Sequence, residues 1–174
     1  MTVVFKLRGV VVAAVLLLAA VHAVQAGPDL GNWRVDAAGD GQVTASLYAT
    51  NKLITGNGAL GYSPVLTLAC RSDGEPRWSE WLQLNDAVSA SRKITMSVMV
   101  DGSSKFDESW SVGPRGKLLV REGDDGIKRL VSASRLLLSW RFGLLSGRGE
   151  ADFDLAGLSE AVGQIAASCN TDPP

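Results

Sequence analysis

Ala151-Asp152-Phe153-Asp154-Leu155-Ala156-Gly157-Leu158-Ser159-Glu160-Ala161-Val162-Gly163-Gln164-Ile165-Ala166-Ala167-Ser168-Cys169 is a short strand running into a helix that ends on a cysteine. Ala151, Phe153 and Leu155 alternate with Asp152 and Asp154, the period-2 pattern of a half-buried strand. Leu158, Ala161, Val162, Ile165, Ala166 and Cys169 then recur at three- and four-residue steps, which places them on one helical face. That face needs a sheet to cover. Pro64 to Arg71 offers one, with Leu66, Leu68 and Cys70 alternating against Val65 and Thr67, so Cys70 points with the leucines toward a core. Two cysteines in an exported chain most simply form a disulfide, Cys70 to Cys169; two buried free thiols are the alternative.

Export is read from the other end of the chain. Met1–Ala26 carries Lys6 and Arg8, an apolar run from Val10 to Ala20, and small residues at Val24 and Ala26. This is the layout of a signal peptide cleaved after Ala26. The apolar run falls short of the about 20 residues that span a bilayer, so no membrane span is expected after cleavage; an uncleaved anchor is the alternative. Cleavage removes two of the 17 basic residues and the single histidine, His22, but none of the 18 acidic ones. The remainder, 27–174, is mildly acidic and the size of one domain with one core. It lacks the basic stripe that draws proteins to nucleic acid.

The intervening chain reads as short strands separated by turns. Asn32 to Val35 is a first edge strand, Val43 to Ala49 a second, and Arg77 to Leu84 returns from the Asp73-Gly74 turn as the hairpin partner of 64–71. Lys93 to Val100 places Ile94, Met96, Val98 and Val100 on one face, and Asp101-Gly102 turns it into Lys105 to Val112. In that strand Phe106, Trp110 and Val112 face inward, and Glu108 shares their parity. An acid facing a core implies a bulged strand, an arginine partner near a sheet edge, or a functional carboxylate. After the turn at Gly113 to Gly116, Lys117 to Arg121 is a further strand, and Ile127, Leu130 and Val131 have the spacing of a short surface helix. Arg135 to Phe142 leads into the closing strand. The expected fold is therefore α+β: a mostly antiparallel β-sheet or sandwich of about seven to nine strands, with a short helix and a C-terminal helix, closed by one disulfide.

Recognisable chemistry is sparse. Gly56-Asn57-Gly58-Ala59-Leu60-Gly61 is a literal G-x-G-x-x-G, but it leads into a strand, whereas a dinucleotide fingerprint needs a helix opening there. Asp36, Asp40 and Gly41 brush the calcium-loop pattern, yet Ala38 and Leu47 stand where ligands belong. With His22 removed, no histidine remains for general base work or a zinc site. No cofactor, metal or catalytic residue is expected. The one route to catalysis is a carboxylate pair drawn from Glu80, Asp107, Glu108, Asp152 and Asp154. Trp78 and Trp81 have opposite parity, so one faces inward and the other is free to act as edge packing or a stacking platform. Trp78, Trp81 and Glu108 are the candidate surface or binding residues.

Trp33, Leu68-Ala69-Cys70-Arg71, Val100-Asp101-Gly102, Trp110-Ser111, Leu130, Trp140-Arg141 and Phe153-Asp154-Leu155-Ala156-Gly157-Leu158, followed by a helix closing on Cys169, together resemble the VasI/TagO family of periplasmic proteins associated with bacterial type VI secretion. The resemblance runs from about Trp33 to Cys169. Family members tend to carry Ser where Ala156 stands and an Arg shortly before the Asp-Gly, where this chain has Val98-Met99-Val100. The resemblance implies a non-enzymatic periplasmic accessory protein that binds an envelope or secretion-system protein. The runner-up is a small cell-envelope glycan-binding or glycan-hydrolysing module using a tryptophan beside Glu80 or Glu108.

Overall fold

A computed structural model describes residues 29–38, 41–56, 58, 60–90 and 92–174. The segment read as a signal peptide lies outside these, as do Asp40, Asn57 and Ala59. Among the described residues nine strands form one antiparallel sheet. They are β1 (Arg34–Ala37), β2 (Gln42–Tyr48), β5 (Val65–Arg71), β6 (Arg77–Gln83), β7 (Lys93–Val100), β8 (Phe106–Val112), β9 (Leu118–Glu122), β10 (Arg135–Arg141) and β11 (Arg148–Asp154). Their spatial order is β1-β2-β5-β6-β9-β8-β7-β10-β11. β3 (Leu53–Ile54) and β4 (Gly61–Tyr62) make a separate two-stranded hairpin, which alternation over so few residues does not announce. The last glycine of the G-x-G-x-x-G run, Gly61, opens β4, a strand where a nucleotide site would need a helix.

Alternation sorts the strands onto an inner and an outer face. Val43, Ala45 and Leu47, then Leu66, Leu68 and Cys70, then Met96 and Val98, and Leu136, Leu138 and Trp140 are all buried in one core. The sheet curls until its last strand meets the segment that follows β2. There Thr50 N donates to Asp152 O at 2.7 Å, and Asn51 exchanges hydrogen bonds with Glu150 O at 2.8 Å and Asp152 N at 2.9 Å. These bonds cover the outer edge of β11, which would otherwise be open to pairing with another chain.

Helix α2 (Leu158–Ser168) closes the core against β1, β2 and β5, burying Leu158, Ala161, Val162, Ile165 and Ala166. From its end Cys169 reaches Cys70 on β5 to form the disulfide, with Cα atoms 6.3 Å apart. The turn into α2 is set by close backbone packing. Gly157 has φ +84°, and a Cβ there would run into the main chain of Leu30 and Gly31. Gly157→Ala should therefore cost at least about 1 to 2 kcal/mol from the left-handed backbone alone, with the clash added to it. A urea midpoint unchanged from the parent would contradict this.

Two expectations are corrected. Phe106 shares a face with the buried Val98 of β7 but is 42 % exposed rather than buried, because β8 pairs with β9 only through Ser111 and Val112 and its first half is left uncovered on that side. The 124–131 segment is a single turn, α1 (Asp125–Lys128). It is a plug rather than a surface helix, since Gly126, Ile127 and Leu130 are buried while Lys128 pairs with Asp124 on the outside.

Candidate functional site

Of the five candidate carboxylates, the fold brings two together. Glu80 shares the inward parity of Trp78 and Leu82 on β6 and is fully buried. Arg121 stands opposite it on β9, and Glu108 lies on β8 where that strand has parted from β9. Arg129, just beyond α1, fills the wedge. Its Nη1 donates to Glu80 Oε2 at 3.0 Å, and its Nη2 lies 3.3 Å from Glu80 Oε1 and 3.2 Å from Glu108 Oε2. Glu108 Oε2 also accepts from Trp110 Nε1 at 3.1 Å and pairs with Arg121 Nε at 3.4 Å. Two acids and two guanidinium groups thus share one low-dielectric site with formal charges in balance.

Burial raises the Glu80 carboxyl above its ordinary pKa, and the guanidinium of Arg129 opposes that rise. α1 seals the site. A Cβ on Gly126 would lie under 3.0 Å from Glu80 Oε2 and from the guanidinium groups of Arg121 and Arg129, so only glycine lets the helix turn approach this closely. Glu108 is therefore an arginine-paired acid within the sheet rather than at its edge. An arginine partner for Glu108 was among the sequence expectations, but which arginines meet the two acids and the inward position of Glu80 went unread. The signal was present: Glu80 shares parity with Trp78 and Leu82, and Arg121 with Leu119.

The other acids are elsewhere. Asp107 is exposed on β8, and Asp152 on β11 is held by Arg135, whose Nε donates to Asp152 Oδ1 at 2.7 Å. Asp154 is exposed and caps the turn into α2 by accepting from Ala156 N at 3.1 Å. Among the described residues no cluster of three or more His, Cys, Asp or Glu side chains could hold a metal ion.

The tryptophans part as their parity requires. Trp78 is 7 % exposed and belongs to the core, which leaves no surface platform there. Trp81 lies half-buried on the outer face, opposite Thr67 of β5 and Val120 of β9. Beside it the small side chains of Ala69 and Ser79 floor a cavity of about 170 Å³ walled by Trp81, Arg71, Arg77, Gln42 and Glu122. Arg71 Nη2 donates to Gln42 Oε1 at 2.9 Å, and Arg77 Nη2 to Asp73 Oδ1 at 2.9 Å. That bond holds the exposed Asp73 carboxyl below its ordinary pKa. An indole, two positioned guanidinium groups and an acid make a surface able to grip a polar, partly planar group.

No helix among the described residues is long and apolar enough to cross a membrane, and the disulfide fits an oxidising compartment. No family model matches the chain, and no curated protein matches it. Among solved structures it is similar to invasion associated protein b from Bartonella henselae, with a TM-score of 0.52 and 13 % identity over 79 % of this chain and 94 % of that one. At that identity the likeness is one of fold.

Proposed function

We propose that this chain is an exported, non-enzymatic accessory protein of the bacterial envelope that acts by protein binding, similar in role to the VasI/TagO proteins associated with type VI secretion. The observation that carries the reading is the Trp81 surface, a half-buried indole beside a preformed cavity with arginines already held in place by Gln42 and Asp73. Tryptophan and arginine are the residues that most often dominate protein interfaces, and a partner that finds them pre-ordered loses less entropy on binding. The chemistry of the core supports the same reading. Glu80 and Glu108 are occupied by Arg129 and Arg121 and covered by α1, an arrangement suited to holding strands together and poorly suited to reaching a glycosidic bond. A fold neighbour named as an invasion associated protein is compatible with an exported accessory role.

The runner-up is glycan binding at the same face, since the indole of Trp81 with Gln42, Ser79 and Glu122 around it could also stack on and hydrogen-bond a sugar ring. Periplasmic pull-downs with the parent and with Trp81→Ala, run beside a muropeptide binding and digestion assay, separate the two. The expected result is a protein partner whose affinity falls about thirtyfold or more in Trp81→Ala, the loss typical of an interface hot spot, with no digestion. Muropeptide retention abolished by the same change would favour the glycan reading. Digestion that disappears in Glu80→Gln or Glu108→Gln would overturn the non-enzymatic assignment.

A further inference from the structure

The large apolar side chains left exposed are not scattered evenly. Ile54 and Leu60 lie on the β3–β4 hairpin, and Leu144 and Leu145 at the tip of the β10–β11 hairpin are 96 % and 100 % exposed. The two hairpins are neighbours, with Leu53, Ile54, Phe142 and Arg148 lining one shared groove. Two adjacent leucines wholly in water at a turn are costly to keep there unless something apolar receives them. Immediately behind them Arg141 and Arg148 stand opposite each other across β10 and β11. Both are exposed, and neither forms an ion pair among the described residues. Two leucines at the tip with two free cations one step behind match, in order and in charge, the depth profile of a bilayer surface: acyl boundary first, anionic headgroups next. Asp86 lines the same groove as Arg148, and the exposed Glu150 lies two residues beyond Arg148 on β11.

We propose that the β10–β11 hairpin tip, with the β3–β4 hairpin beside it, docks the protein reversibly on a membrane surface rich in anionic lipid, inserting Leu144 and Leu145 while Arg141 and Arg148 pair with headgroup phosphates. These residues are separate from those around Trp81, so the protein-binding reading and this one stand or fall independently.

The test is co-sedimentation of the mature protein with vesicles of phosphatidylcholine alone or mixed with phosphatidylglycerol. The parent should pellet with the mixed vesicles and far less with the neutral ones. Leu144→Ser/Leu145→Ser should weaken binding to the mixed vesicles by at least about tenfold. Arg141→Gln/Arg148→Gln should weaken it by about fivefold per arginine, and only where anionic lipid is present. Both variants should keep the parent's urea midpoint, because the substituted side chains are exposed. Failure of the parent to pellet with phosphatidylglycerol, or full retention of binding by the leucine variant, overturns the proposal. So does a dimer, seen by analytical ultracentrifugation without vesicle binding, that the leucine variant abolishes; the receiver would then be a second copy of the chain.

Discussion

Arg129→Met should destabilise the domain by about 3 to 5 kcal/mol at neutral pH, because it strands Glu80 as a buried charge with no hydrogen-bonded cation. Among the described residues Arg129 is the only side chain bonded to both oxygens of Glu80, whereas Glu108 keeps Arg121 and Trp110 when Arg129 is lost. The effect should depend on pH in a defined direction. Burial already raises the Glu80 pKa above its ordinary value of 4.5, and removing Arg129 raises it further. The folded state then holds the proton more tightly than the unfolded chain does, so stability is gained as pH falls and lost as pH rises through the folded pKa. The difference between parent and variant should therefore be largest at neutral pH and shrink toward the ordinary carboxylate range. Urea unfolding at neutral and at mildly acid pH checks this, and an equal difference at both would mean that Glu80 is not ionised in the parent. Glu80→Met/Arg129→Met should recover much of the loss, since removing both partners leaves no unpaired charge from the pair.

The second large effect is expected from the disulfide. It joins residues 99 apart in sequence, and the chain-entropy model gives about 4 to 5 kcal/mol for a loop of that length, against roughly 2 to 5 for native bridges removed by mutation. Cys70→Ala/Cys169→Ala should lose stability in that range, with about 2 to 4 °C of Tm for each kcal/mol in a domain of this size. The loss should be felt first at the C-terminus. α2 is anchored at its end by Cys169, and its start rests on the close Gly31–Gly157 backbone approach, so freeing one end makes local release of the helix easier than global unfolding. Limited proteolysis should then cut within or just before 158–168 in the variant while the parent resists. Equal resistance would show that the apolar face of α2 holds the helix without the bridge.

Much of the fold was legible in local pattern. The strand into helix at 151–169, the inward run Leu66, Leu68 and Cys70, and the hairpins at Asp73-Gly74 and Asp101-Gly102 follow from periods of 2 and 3.6 and from turn residues that tolerate unusual backbone angles. These depend on near neighbours in sequence, and so does their physics. Even the Asp101 turn carries a longer-range role that periodicity does not contain: its carboxylate accepts from Ser134 N and Arg135 N at 2.9 and 2.8 Å, tying the turn to the start of β10.

Tertiary structure alone decided strand order and what lies between strands. No local pattern says that β9 enters between β6 and β8, because the choice depends on the free energy of pairing segments far apart in the chain. That insertion sets Arg121 opposite Glu80 and lets β8 part from β9, and the parting leaves Phe106 uncovered and admits Arg129 from beyond α1. Parity groups Glu108 with Trp110 and Glu80 with Trp78 and Leu82; it does not say which cations meet them, or that Gly126 is needed to let α1 cover the site. Sequence alternation likewise sends Trp78 and Trp81 to opposite faces, but which face is the core depends on how the sheet curls around α2. The reason is common to all of these: alternation is a property of one strand, whereas inside, outside and ion pairing are properties of the closed sheet.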